Sequence, residues 1–208
     1  MAILTHTHST MIITLYGGKM GSGFRCHWAA AEMGVAYEEG KVDMRAGEHK
    51  SEWFLKLNPA GQVPVLVDDG FALAESVAIN NYLAEKSGSD LVGADAKERG
   101  LVTQWTLYVL TSVQPLFSTI AMPKWTGVND VAAEEKAVAA LPAKLKVLED
   151  RLAASPYLAG ERFTLADVNA ASTMQYAGFA DFSLSAYPHI TAWIEKLSAR
   201  PAYVAAKG

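Results

Sequence analysis

The residue types able to do chemistry gather in the first half of the chain. Ser22 lies in the glycine-rich run Gly17-Gly18-Lys19-Met20-Gly21-Ser22-Gly23, immediately before an apolar helical stretch. A hydroxyl at a helix N-terminus, where backbone N–H groups are unpaired and the dipole is positive, favours an anion placed against it. Two more candidates stand close by: the phenol of Tyr16, at the end of the preceding apolar run, and the thiol of Cys26, a helical turn beyond Ser22. Glu75-Ser76 sets another hydroxyl before another helix, and His49-Lys50 puts two basic groups side by side in a loop. Such a basic pair suits an anionic ligand.

Cys26 is the only cysteine, so an internal disulfide, a CxxC redox pair and a structural zinc site are all excluded. In the middle of an apolar helix it reads as a small buried hydrophobe rather than a reactive thiol. No metal is required by any of these groups.

The elements that must position them follow from pattern and punctuation. Ile12 to Tyr16 reads as a buried strand, Phe24 to Met33 as a helix stopped by Gly34, and Tyr37 to Val42 as a second strand. Ser51 to Leu57 is a short helix ended by the turn Asn58-Pro59-Ala60-Gly61. Val63 to Val67 and Phe71 to Ala74 are two strands joined by Asp68-Asp69-Gly70, a hairpin signal because Asp-Gly tolerates positive φ. Ser76 caps a helix from Val77 to Lys86, and Ser87-Gly88-Ser89-Asp90 has the composition of a linker.

The expected order is βαβ-α-ββα over residues 11–87, a linker at 88–95, and an all-helical bundle over 96–208. That second half shows no strand alternation, only helical stretches punctuated at Pro115, Pro123, Pro142, Pro156, Gly160, Pro188 and Pro201. Thr164 to Asp167 reads as a capping box opening a helix that runs to about Gly178. Residues 1–10 are expected to be a flexible extension.

Composition narrows the function classes. The chain has 208 residues, half of them hydrophobic, and a net charge of −4 with its 18 Lys and Arg scattered, so no footprint for a nucleic-acid backbone is present. The absence of a long apolar run and of a signal-like start predicts a cytoplasmic protein with no membrane partner.

The stretch Asn58-Pro59-Ala60-Gly61-Gln62-Val63-Pro64-Val65-Leu66, followed by Leu73-Ala74-Glu75-Ser76-Val77-Ala78-Ile79, resembles the most specific segment of the cytosolic glutathione S-transferases. Similarity continues weakly through Gln104-Trp105 and through Tyr157 to Val168, the latter matching the family's folding motif. The resemblance implies an α/β thioredoxin-like N-terminal domain followed by an all-α C-terminal bundle. It is nearest to the beta, theta and phi-like classes of bacterial members, with Ser22 at the position of the beta-class cysteine.

Glutathione is the implied co-substrate. Val63 and Pro64, across a cis bond, are implied to present backbone groups to its cysteinyl unit, with Gln62 beside them. Glu75 and Ser76 are implied to hold the γ-glutamyl ammonium and carboxylate, and His49 and Lys50 the glycyl carboxylate. The thiol of glutathione must ionise to attack, and Ser22, Tyr16, Cys26 and the amides of the Met20 to Gly23 loop all remain candidates for stabilising it. A serine donates to the sulfur but forms no mixed disulfide.

A small hydrophobic electrophile is implied between the early loop and the first long helices of the bundle. Met20, Tyr108, Phe117 and Trp125 are its expected lining. Conjugation, with a detoxifying role and a homodimeric state, is the leading expectation. Glutathione-dependent peroxidase, isomerase or dehalogenase activity on the same site is the alternative, as is a non-catalytic glutathione-fold module.

Overall fold

The computed structural model describes residues 13–128 and 130–208, the side chain of Trp125 excepted. The extension expected at residues 1–10 lies outside the described residues. The first domain runs β1 (Ile13–Tyr16), α1 (Gly21–Glu32), β2 (Tyr37–Gly40), α2 (Glu52–Leu57), β3 (Val65–Asp68), β4 (Phe71–Ala74) and α3 (Ser76–Ser87). The sheet order is β2-β1-β3-β4, with β2 parallel to β1 and both later pairings antiparallel. Asp69 and Gly70 both take positive φ, as a two-residue hairpin turn between β3 and β4 requires.

Alternation along β1 sends Ile13 and Leu15 into a core shared with Cys26 and Ala30 of α1, Leu66 of β3, and Ile79 and Leu83 of α3. The opposite face carries Tyr16, whose ring meets Trp53 and Phe54 of α2. The sheet therefore has α1 and α3 on one side and α2 on the other.

The helical domain consists of α4 (Ala96–Tyr108), α5 (Gln114–Thr126), α6 (Val131–Ala154), α7 (Leu165–Phe179), α8 (Pro188–Ser198) and α9 (Pro201–Lys207). Two expected interruptions are absent: α5 continues through Pro123 and α6 through Pro142. The break that does occur is a wide turn of i to i+5 bonding at Val109–Val113, which joins α4 to α5. It inserts a residue into the helical register between α4 and α5.

α1 belongs to both domains. Cys26 and Ala30 face the sheet, whereas Phe24, Trp28 and Ala29 enter the large core of the helical bundle. Tyr203 of α9 packs edge-on against Phe24 and Trp28, and Arg200 closes a bidentate pair with Glu32. At the start of α7 the capping box is formed: the buried Asp167 carboxylate accepts from Thr164 N, Leu158 N and Trp193 Nε1. This one side chain ties the 155–164 loop, α7 and α8 together.

Candidate active site

Two helices open onto one hollow. α1 starts after Met20 with no side-chain cap and no acidic residue in its first turn, and α3 starts after Glu75 in the same condition. First-turn N–H groups of both helices are thus left for a ligand, and no carboxylate in the turn offsets either dipole. Ser22 and Ser76 line a common cavity of about 210 Å³ with Asn58, Gln62, Val63, Pro64, Glu75 and Gln114.

Local sequence explains how each wall is held. A Cβ on Gly23 would stand 2.1 Å from the Gly18 carbonyl oxygen, so glycine there lets the loop fold back on α1 and seat Ser22. Asn58 closes the turn before β3, its Nδ2 donating to the Gln62 carbonyl at 2.8 Å and its Oδ1 accepting from Ala60 N at 3.1 Å. The Val63–Pro64 bond is cis. Glu75 sits at φ 69°, ψ 113°, a conformation that costs a side-chain-bearing residue about 1–3 kcal/mol and is tolerated where a binding loop demands it.

A second cavity, of about 250 Å³, lies on the other side of Ser22 and is lined by Met20 and the neighbouring glycines, Val63, Tyr176 and Phe179. Ser22 and Val63 belong to both walls. A polar pocket and a largely apolar one therefore meet at Ser22 and Val63.

The remaining sequence candidates fall elsewhere. Tyr16 lines neither cavity, because the two-residue period of β1 turns its ring over Gly40 and onto α2. Cys26 is fully buried against the Ser22 and Ser76 carbonyls, and burial pushes its thiol up to about 12. His49 and Lys50 form a tight turn behind Gly61, with Lys50 Nζ donating to Ala60 O at 3.1 Å, so they border the Gln62 end rather than line the hollow.

The electrophile-side candidates need correction. Met20 is on the second cavity, but Phe117 is completely buried in the bundle core, where its ring packs edge-on against Phe182. Tyr108 packs edge-on against Trp105 and donates to the Lys144 carbonyl, bridging α4 to α6 away from the site. The Trp125 side chain lies outside the described residues. The aromatic wall comes instead from Tyr176 and Phe179, at the end of α7. Gln114 and the buried Arg25 beneath it were also missed. A charged residue between Phe24 and Cys26, in a helix otherwise destined for burial, was the available signal.

Comparison with known families decides the identity. The family model described as glutathione S-transferase, N-terminal domain, matches residues 11–85, and the model of the C-terminal domain matches residues 104–201. The chain belongs to the glutathione S-transferase family. Among curated relatives of this transferase, glutathione S-transferase 3 of Zea mays is 38% identical over 182 residues, covering 83% of this chain and 82% of the relative. Glutathione S-transferase F9 of Arabidopsis thaliana is 33% identical over 210 residues, with 93% and 95% covered. A solved glutathione S-transferase I bound with lactoylglutathione superposes with a TM-score of 0.83 at 32% identity, covering 94% of this chain and 98% of that one. The enzyme is a glutathione transferase, and glutathione conjugation is its chemistry. Among the described residues no group of three or more His, Cys, Asp or Glu is placed to hold a metal ion.

Proposed function

We propose that glutathione occupies the 210 Å³ cavity and a small hydrophobic electrophile the 250 Å³ cavity, with the thiol at Ser22 between them. The observation that carries this reading is the place of Ser22, a residue on the wall of both cavities and at an uncapped helix N-terminus. The thiol loses its proton to solvent, and the Ser22 O–H and the α1 amides stabilise the resulting thiolate. Sulfur then attacks the electrophilic carbon, the C–S bond forms, and a leaving group such as chloride departs with its electron pair. Catalysis rests on positioning and thiolate stabilisation, with no covalent enzyme intermediate.

Within the first cavity, the Val63 backbone serves the cysteinyl unit, Glu75 and Ser76 the γ-glutamyl end, and His49 and Lys50, beyond Gln62, the glycyl carboxylate. Among the beta, theta and phi classes, the F-series names of plant relatives favour phi. A cytoplasmic, homodimeric enzyme with a detoxifying role accords with the family. Among the described residues no helix is long and apolar enough to cross a membrane.

Steady-state conjugation of a chloronitrobenzene tests the division of labour. Phe179→Ala is expected to raise KM for the acceptor severalfold and leave KM for glutathione unchanged, whereas Gln62→Ala does the reverse. If both variants move the same constant, the two-cavity assignment is wrong.

A further inference from the structure

Arg25, on α1 beneath the polar cavity, is only 1% exposed. Its Nη1 donates to Ser76 Oγ at 2.7 Å, and its Nη2 donates to Gln114 Oε1 at 2.9 Å and to Thr173 Oγ1 at 3.0 Å. Each of these partners is a neutral oxygen, and Nε has no partner. Among the described residues no carboxylate forms a salt bridge with it, in contrast to Arg162 and Arg200, each paired with a glutamate. Burial pulls its pKa down, yet a guanidinium still keeps its proton near neutrality. A buried cation without a counter-ion is an arrangement that proteins otherwise avoid.

Two of the three partners face the ligand cavity. Because Arg25 only donates, the atom of Gln114 turned toward it is the amide oxygen, which leaves the amide NH₂ to point away from the arginine. Thr173 lies 3.1 Å from the same oxygen, on the same side. The bond from Nη1 takes a lone pair of Ser76 Oγ and leaves the Ser76 hydroxyl proton free to donate. Arg25 therefore polarises two donors, one from each domain, and Glu75, the carboxylate on this cavity wall, is exposed at its rim.

We propose that Gln114 is a glutathione-binding residue, its amide N–H groups acting with the Ser76 hydroxyl to receive the γ-glutamyl α-carboxylate, which supplies the counter-ion that buried Arg25 lacks. Gln114 follows immediately on the wide turn that ends at Val113. Arg25 acts as a positioning residue, through the two side chains it orients and the charge it places behind them. The proposal rests on glutathione occupying this cavity with its γ-glutamyl end at Ser76.

Titration calorimetry with two probes tests it: glutathione, and the analogue lacking only that carboxylate, γ-aminobutyryl-cysteinyl-glycine. The parent is expected to prefer glutathione by roughly 10- to 100-fold, the range for hydrogen bonds to a charged group. Gln114→Glu is nearly isosteric and gives Arg25 an internal carboxylate, so the fold is kept, thermal stability holds or rises, and the preference for glutathione collapses. Gln114→Leu is expected to weaken the preference as well. If Gln114 is merely a brace between domains, Gln114→Glu strengthens that brace and keeps the full preference, which overturns the proposal. A parent that binds both probes equally overturns the placement of glutathione itself, whereas a parent preference that survives in both variants overturns the role of Gln114 alone.

Discussion

Replacing Ser22 by alanine separates ionisation of the thiol from everything else in the site. Ser22 lines both cavities, and a hydrogen bond from its hydroxyl to a thiolate is worth about 1.5–3 kcal/mol. At 1.36 kcal/mol per pKa unit, losing it raises the pKa of bound glutathione by about 1–2 units. The amides of α1 remain and hold part of the effect, about 0.3–1 kcal/mol, so the thiol stays somewhat below its free value of about 8.5. A higher pKa means less thiolate at a given pH. Conjugation near pH 6.5 is therefore expected to fall by about 10- to 100-fold, and near pH 9.5, where the thiolate forms unaided, to come within a few-fold of the parent. The assay is kcat/KM against pH, with the ultraviolet absorbance of the bound thiolate followed in parallel. An unshifted profile would falsify the donor role of Ser22, and the same shift in Tyr16→Phe would move it to the phenol. A loss that does not recover at high pH would mean that Ser22 positions the sulfur without ionising it.

Other outcomes follow from buried groups outside the catalytic contact. Cys26, with its thiol pushed up to about 12 by burial, stays protonated across the neutral range, so iodoacetamide is expected to label it only in the unfolded chain. Rapid labelling of the native enzyme at mildly alkaline pH would contradict that environment. Asp167→Ala orphans Leu158 N, Thr164 N and Trp193 Nε1, each worth about 1–3 kcal/mol. Burial already pushes the Asp167 carboxyl up, so part of that loss is returned when the desolvated charge is removed. A net cost of about 3–5 kcal/mol against a typical total of 5–15 kcal/mol is expected to lower the melting temperature sharply and cut the soluble yield. An unchanged melting curve would show that the capping box carries little of the fold.

Local signals carried most of the first domain and some boundaries of the second. Asp69-Gly70 announced the β3–β4 turn, Gly34 the end of α1, and Thr164 with Asp167 the start of α7, because each depends on backbone preferences of adjacent residues. Tyr16 remained an open candidate because its type and position do not reveal which face of β1 it occupies; the alternation of Ile13 and Leu15 into the core settles that. Phe117 was expected at the site only because the resemblance places the acceptor near the first long helices, and its burial against Phe182 joins residues too far apart in sequence for a local pattern to mark. Pro123 and Pro142 misled in the opposite sense, since both helices continue through them. Arg25 and Gln114 were out of reach of any local rule, because their contact joins residues 89 positions apart and depends on how α1 and α5 pack.

The wall shared by the two cavities has a consequence for the end of the reaction. Before the C–S bond forms, two separate molecules each give up translational and rotational freedom to enter; afterwards a single molecule fills both compartments and gives it up once. With glutathione and the acceptor in the two cavities as proposed, the conjugate is expected to bind more firmly than either substrate, its new bond beside Ser22 and Val63. Product inhibition is the expected consequence, and at saturating substrate departure of the adduct is expected to limit turnover. The enzyme is accordingly suited to surroundings in which another process keeps removing the adduct.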